Sequence, residues 1–159
     1  TIGLYCADEA EQIIGIEIIK DAVLDANRNA VVNGIVNARY ICGKAEEILP
    51  LYAGQKKDVG RTANQKEDPS VKTDPNLAEA ISRARIAILD PPRAGCRPEL
   101  LEAVIDLGVE RIVYVSCDPA TLARDIKFLG EHGYALQEAT PVDMFPHTAE
   151  VETVCLLSR

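Results

Sequence analysis

The sequence has no apolar run long enough to cross a bilayer, and nothing at its start reads as a signal peptide. It also lacks any Cys-x-x-Cys pair. Its five cysteines, Cys6, Cys42, Cys96, Cys117 and Cys155, are scattered and odd in number. Zinc and iron–sulfur sites therefore lack their usual spacing, and no metal site is expected. Unpaired thiols in an α/β chain point to a reducing compartment, the cytoplasm. Positive charge is short as well. There are 17 Lys and Arg against 25 Asp and Glu, a formal charge of −8. A general nucleic-acid binder would need the opposite balance. That balance still allows an enzyme that meets RNA mainly through another domain. No internal repeat is present.

What remains is an apolar content of 47% in 159 residues, enough for one α/β domain with its own core. Thr1-Ile2-Gly3-Leu4 leads into what reads as the end of a short helix, with no strand before it. The expectation is a piece whose beginning lies elsewhere. Ile13-Ile14-Gly15-Ile16 reads as a buried strand closed by Glu17. Residues 20–32 carry Ala22, Val23, Ala26 and Ala30 at helical spacing, and Asn33-Gly34 stops that helix. Ala38 to Cys42 is a second strand. Residues 53–78 are rich in Gly, Lys, Asp, Asn, Pro and Thr, and read as a long solvated insertion.

Order returns with the strand Ile86-Ala87-Ile88-Leu89, ending at Asp90. Pro98 suits the first turn of a helix whose core side is Leu100, Leu101, Val104, Ile105 and Leu107, ended by Gly108. The run Ile112 to Ser116 is a fourth strand. Asp118 caps the next helix with Pro119 following, and Leu122, Ile126 and Leu129 line it. Tyr134 to Val142 and Val151 to Leu157 read as two strands joined by a tight loop over Phe145-Pro146-His147-Thr148. Alternating strands and helices imply a mostly parallel sheet, and the closing pair implies one antiparallel last strand. A Rossmann-like methyltransferase domain shares this pattern with other doubly wound folds.

Three strands each end in a residue able to do chemistry: Glu17, Asp90 and Cys117. Ligands bind beyond the carboxyl ends of strands in such sheets. The last strand, running back, starts at that edge, which should bring Glu152 near the others. Cys117 sits between a strand end and a helix N-terminus, a seat for a nucleophile. Its neighbour Asp118 opposes thiolate formation while the helix end favours it. Glu17 is placed like an acid that binds ribose hydroxyls, although the glycine-rich loop expected before it is absent. Asp90-Pro91-Pro92-Arg93-Ala94-Gly95 is a stiff strand exit able to hold an acid and a planar base. His147 reads as a loop histidine. Glu150 and Glu152 share a face by strand alternation. Cys6, Cys42, Cys96 and Cys155 read as structural.

Together these stretches resemble a known family. Asp90 to Gly95, Ser116-Cys117-Asp118-Pro119-Ala120-Thr121-Leu122-Ala123-Arg124-Asp125, and Asp143-Met144-Phe145-Pro146-His147-Thr148 with Val151-Glu152 resemble the RNA uracil-5-methyltransferases. Thr1 to Leu4 resembles the tail of that family's cofactor loop, and Gly15-Ile16-Glu17 its ribose-binding acid. The resemblance spans the chain outside 53–78. It implies a Rossmann-like class I methyltransferase sheet lacking its first strand, with residues 1–159 an N-terminally truncated catalytic domain. It implies S-adenosylmethionine as cofactor, contacted by Glu17 and Asp90, Cys117 as nucleophile and Glu152 as general base. RNA would be the partner, reached mainly through domains outside these residues, and the motif wording leans to ribosomal over transfer RNA. Asp118 stands where the family usually has Asn, and Glu150 where it often has His. Two other readings stay open: an amino-methyltransferase using the Asp90-Pro-Pro-Arg loop, and a non-catalytic module that supports RNA binding or assembly.

Overall fold

The computed structural model describes residues 2–53, 74–144, 146–148 and 151–159. It divides into two compact units, Thr1–Arg83 and Ala84–Arg159. Among the described residues, the strands hydrogen-bond as a two-stranded and a four-stranded sheet.

The first unit opens with the helical turn α1 (Ile2–Tyr5) and holds β1 (Ile13–Glu17), α2 (Lys20–Val32) and β2 (Ala38–Cys42). The strands pair in parallel, Ile13 with Ala38 through Glu17 with Cys42. Gly15 is dictated by packing: a Cβ there would overlap the Tyr40 ring. Asn27 of α2 ties the helix to the strand. Its side chain donates to the Tyr40 carbonyl at 3.0 Å and accepts the Tyr40 N–H at 3.1 Å. Val23 and Ala30 are buried as the helical spacing requires, whereas Ala22 is exposed.

Two further helices, α3 (Ala45–Ala53) and α4 (Pro75–Ser82), correct the expected 53–78 insertion at both ends. Ala53 is buried at the end of α3. Asp74 caps α4 by accepting the Asn76 N–H at 3.0 Å, Pro75 fits the first turn, and Leu77 is buried. The rest of that insertion, 54–73, lies outside the described residues.

The second unit runs β3 (Ile86–Leu89), α5 (Pro98–Leu107), β4 (Arg111–Ser116), α6 (Pro119–Glu131), β5 (Ala135–Val142) and β6 (Glu152–Ser158). The sheet order is β3-β4-β6-β5. β3 and β4 are parallel, while β6 runs antiparallel between β4 and β5. The closing pair was expected, and the insertion of its second strand into the middle of the sheet is the added finding. Ile112, Tyr114, Cys155 and Leu157 alternate onto the buried face, where Leu101, Val104, Leu107, Leu122 and Leu129 are also buried. Leu100, Ile105 and Ile126, expected in that core, are only half-buried, and Ala103 and Asp125 are buried instead. β5 is the outer edge, exposed throughout. A bulge at Leu136/Glu138 and the N–H-less Pro141 guard it against further pairing.

Candidate active site

The four-stranded sheet gathers three of the four expected residues at one end. Ile86 pairs with Arg111, so Asp90, the residue after β3, is level with Val115 on β4. Cys117 stands two residues further along. Ser116 pairs with Thr153, and that register, continued by one step, sets Cys117 opposite Glu152. Neighbouring strands lie about 4.8 Å apart. Asp90 is exposed, and Cys117 and Glu152 are half-buried. The fourth residue, Glu17, ends β1 in the first unit. Its Oε1 accepts the Ile19 N–H at 2.8 Å. It also lines an open groove of about 430 Å³ between β1 and α2, with Asp25 and Asn29 opposite.

The turn that carries Cys117 is held on both sides. The buried Ser116 hydroxyl donates to the Asp118 carbonyl at 3.0 Å and accepts the Asp118 N–H at 3.1 Å. The Asp118 carboxylate caps α6, accepting the N–H groups of Ala120 at 2.9 Å and Thr121 at 3.0 Å. The Thr121 N–H holds that carboxyl below its ordinary range, helped by Ala120 and by nearby Arg93 against partial desolvation. The acid next to the thiol is thus committed to the helix end, and Asn in its place could cap the same two donors.

The loop after Asp90 is fixed from α6. Thr121 donates its hydroxyl to the Arg93 carbonyl at 3.0 Å. Arg124 donates to the carbonyls of Ala94 at 3.0 Å and Cys96 at 3.4 Å. Asp125, buried inside the second unit, accepts the Cys96 N–H at 2.8 Å and the Tyr114 hydroxyl at 2.5 Å through Oδ2. Its Oδ1 accepts Arg124 Nε at 2.8 Å. Burial, and then the bond to Asp125, push the Tyr114 hydroxyl well above its usual range. Sequence reasoning missed this cluster. The signal was an acid at 125 on the same helical face as Leu122 and Leu129.

Of the other cysteines, Cys96 and Cys155 are buried, Cys6 is half-buried and Cys42 is exposed. Burial pushes the Cys155 thiol up. Cys42 is therefore no core residue; its Sγ lies 3.6 Å from the Ile18 carbonyl oxygen. His147 sits in the turn after β5 with φ +70°, a left-handed value uncommon outside glycine but one that histidine tolerates better than most. Glu150 and Phe145 lie outside the described residues. Among the described residues, no cluster of His, Cys, Asp and Glu could hold a metal ion, and no helix is long and apolar enough to cross a membrane.

Residues 1–159 match the family described as tRNA (uracil-5-)-methyltransferase along their whole length. The chain belongs to this family. An uncharacterized RNA methyltransferase of Bacillus cereus is 42% identical over 159 residues, covering 100% of this chain and 29% of its own length. Another, of Caldanaerobacter subterraneus, is 43% identical over 160 residues, covering 100% and 30%. The chain thus spans about 30% of the length of these relatives. Among solved structures it is similar to the Pyrococcus abyssi tRNA (uracil-54, C5)-methyltransferase in complex with S-adenosyl-L-homocysteine. That match has a TM-score of 0.67 and 28% identity, and covers 98% of this chain and 31% of that one. The expected fold class holds: an α/β, Rossmann-like class I methyltransferase fold with one antiparallel strand.

Proposed function

We propose that this uracil-5-methyltransferase family chain carries the catalytic residues for methylating carbon 5 of a uridine in RNA, with S-adenosylmethionine as methyl donor. The observation that carries the reading is the placing of Asp90, Cys117 and Glu152 at one end of the four-stranded sheet, Cys117 and Glu152 each one residue beyond the last β4–β6 pair, Ser116 with Thr153. A thiol opposite a carboxylate suits a reaction that needs a nucleophile and then a base.

The residues fit the donor. Glu17 uses Oε1 for the Ile19 N–H, and its other oxygen makes no hydrogen bond among the described residues, so it can accept from a ribose diol. Asp90, on a strand exit stiffened by two prolines, is the second candidate contact. When bound, the donor supplies an electrophilic methyl group on a sulfonium.

Carbon 5 of uracil is a poor nucleophile. Cys117 thiolate adds to carbon 6, and the electron pair moves into an enolate that makes carbon 5 nucleophilic. Carbon 5 could then take the methyl group that a bound donor would supply, the donor's sulfonium becoming a neutral thioether. Glu152 removes the proton from carbon 5, the carbon 6–sulfur bond breaks, and Cys117 departs as thiolate. The base must leave its stack to reach the thiol, so a single-stranded or flipped uridine is the substrate. With a net charge of −8, the chain would meet RNA mainly through parts of the protein outside it. A cytoplasmic location suits that substrate. The motif wording favours ribosomal RNA, while the Pyrococcus neighbour is named for transfer RNA. The chain alone, about 30% of its relatives' length, is proposed to be inactive.

The test uses full-length enzyme, wild type and Cys117→Ala, with cofactor and either ribosomal or transfer RNA carrying 5-fluorouracil. Fluorine cannot leave carbon 5 as a proton does, so the adduct survives a denaturing gel. A shifted band in wild type only, with one RNA class, supports the reading and names the substrate. No band in either enzyme, with both methylating ordinary RNA, overturns the cysteine chemistry in favour of an amino-methyltransferase. No band and no turnover on any RNA leaves a binding or assembly module.

A further inference from the structure

We infer that Asp125 is a positioning residue that locks the loop following Asp90 onto the helix following Cys117, so that the two sides of the reaction keep one geometry. The inference rests on the uridine-5 reading above.

Asp125 is 2% exposed, and a carboxylate at that depth is costly unless its oxygens are occupied. Here its donors come from the loop after Asp90 (Cys96), from the strand that leads to Cys117 (Tyr114) and from its own helix (Arg124). Tyr114 is on β4, three residues before Cys117. Cys96 ends the loop that begins at Asp90. Arg124 faces outward, 55% exposed, and reaches back to the Ala94 and Cys96 carbonyls. The Cys96 N–H is shared between Asp125 and the Tyr114 oxygen, at 2.8 and 3.2 Å. Thr121, one turn earlier on α6, holds the Arg93 carbonyl. The loop itself turns tightly, Gly95 N–H to the Pro92 carbonyl at 2.8 Å.

No backbone ladder reaches this loop; β3 stops at Leu89. The side chains of Thr121, Arg124 and Asp125 replace that ladder. Methyl transfer needs the cofactor, held in part at Asp90, and the uracil, held by Cys117, aligned together. An error of about 1 Å in such an alignment costs on the order of a hundredfold in rate. Asp125 touches neither reactant; it sets the distance between the residues that do.

The test uses the full-length enzyme, wild type, Asp125→Asn and Tyr114→Phe. Trapping on 5-fluorouracil RNA counts active sites, and single-turnover methyl transfer at saturating cofactor and ordinary RNA gives the rate per site. Asp125→Asn is expected to lower that per-site rate on the order of a hundredfold, and Tyr114→Phe about tenfold, with KM for RNA little changed. A merely structural role would lower the melting temperature and the number of active sites but leave the per-site rate alone, and that result overturns the inference. If Asp125→Asn does not fold, Tyr114→Phe decides, since it removes one oxygen and keeps the buried ring. A wild type that neither traps nor methylates overturns the uridine-5 reading, and this inference with it.

Discussion

Gly95 offers a measurable check on how tightly the loop is held. Its φ is +76°, and a Cβ there would stand 2.5 Å from Arg124 Nη2, 2.7 Å from Asp125 Oδ2 and 3.2 Å from the Thr121 Cβ. Two costs therefore add in Gly95→Ala. A left-handed backbone costs an L-residue about 1–2 kcal/mol. Overpacking a well-filled site costs about 1–3 kcal/mol more. The second cost is real here because the contacts differ in freedom. Arg124 is the end of a flexible, exposed side chain and can retreat, but Asp125 is pinned by Tyr114 and Cys96. The control is Gly108→Ala. Gly108 has φ +64°, and the nearest atom to its added Cβ is Arg159 Nη1 at 3.8 Å, an ordinary contact. It carries the backbone cost alone. Equilibrium urea unfolding followed by circular dichroism should show Gly95→Ala less stable than Gly108→Ala by about 1–3 kcal/mol. Equal losses within about 0.5 kcal/mol would show that the loop yields freely, and would refute the packing argument.

Two more expectations follow from the second unit. Tyr134, 2% exposed, donates its hydroxyl to the Val109 carbonyl at 2.7 Å, and Val109 is 1% exposed. Tyr134→Phe leaves that carbonyl without its donor and should cost about 1–3 kcal/mol in the same unfolding assay, with an unchanged m-value. Asp118 has a folded-state pKa held below 3.8 by the Thr121 N–H, so its contribution is present above that value and lost as pH falls through the folded one. Asp118→Asn keeps a capping acceptor but loses the charge. The stability difference from wild type should be constant from about pH 7 to about pH 5 and shrink below about pH 4. A difference that stays flat down to about pH 2.5 would contradict the assignment.

Local chemistry made most elements legible. The helix Lys20–Val32, the strand Ala38–Cys42 and the strand Ile86–Leu89 follow directly from apolar spacing and from stops such as Asn33-Gly34. Asp118-Pro119 announced α6, and the same Asp-Pro signal at 74–75 announces α4. There the polar composition of the preceding stretch drowned it. The sheet order was not legible, because the placing of β6 between β4 and β5 depends on pairings that span the sheet rather than on any local pattern. The site divides the same way. Strand ends gave Asp90 and Cys117, and the reversal of the last strand gave Glu152. Asp125 closes the motif that starts at Ser116, but its role was not legible, because a lone acid on an apolar helical face looks like a surface residue until its partners, from residues 96 and 114, are folded around it.

The two halves of the candidate site are held by different physics. Cys117 and Glu152 are fixed by a continuous backbone ladder, six pairs from Arg111–Ser158 to Ser116–Thr153. Such a ladder is largely insensitive to side-chain identity, since its bonds are made by backbone groups that every residue but proline carries. The Asp90 loop has no such frame and depends on a few named side chains of α6. Substitutions that leave the fold intact should therefore spare the relation of thiol to carboxylate and disturb the relation of both to Asp90. An enzyme damaged in this way would keep a reactive Cys117 and a correctly seated uracil, and would fail at methyl transfer.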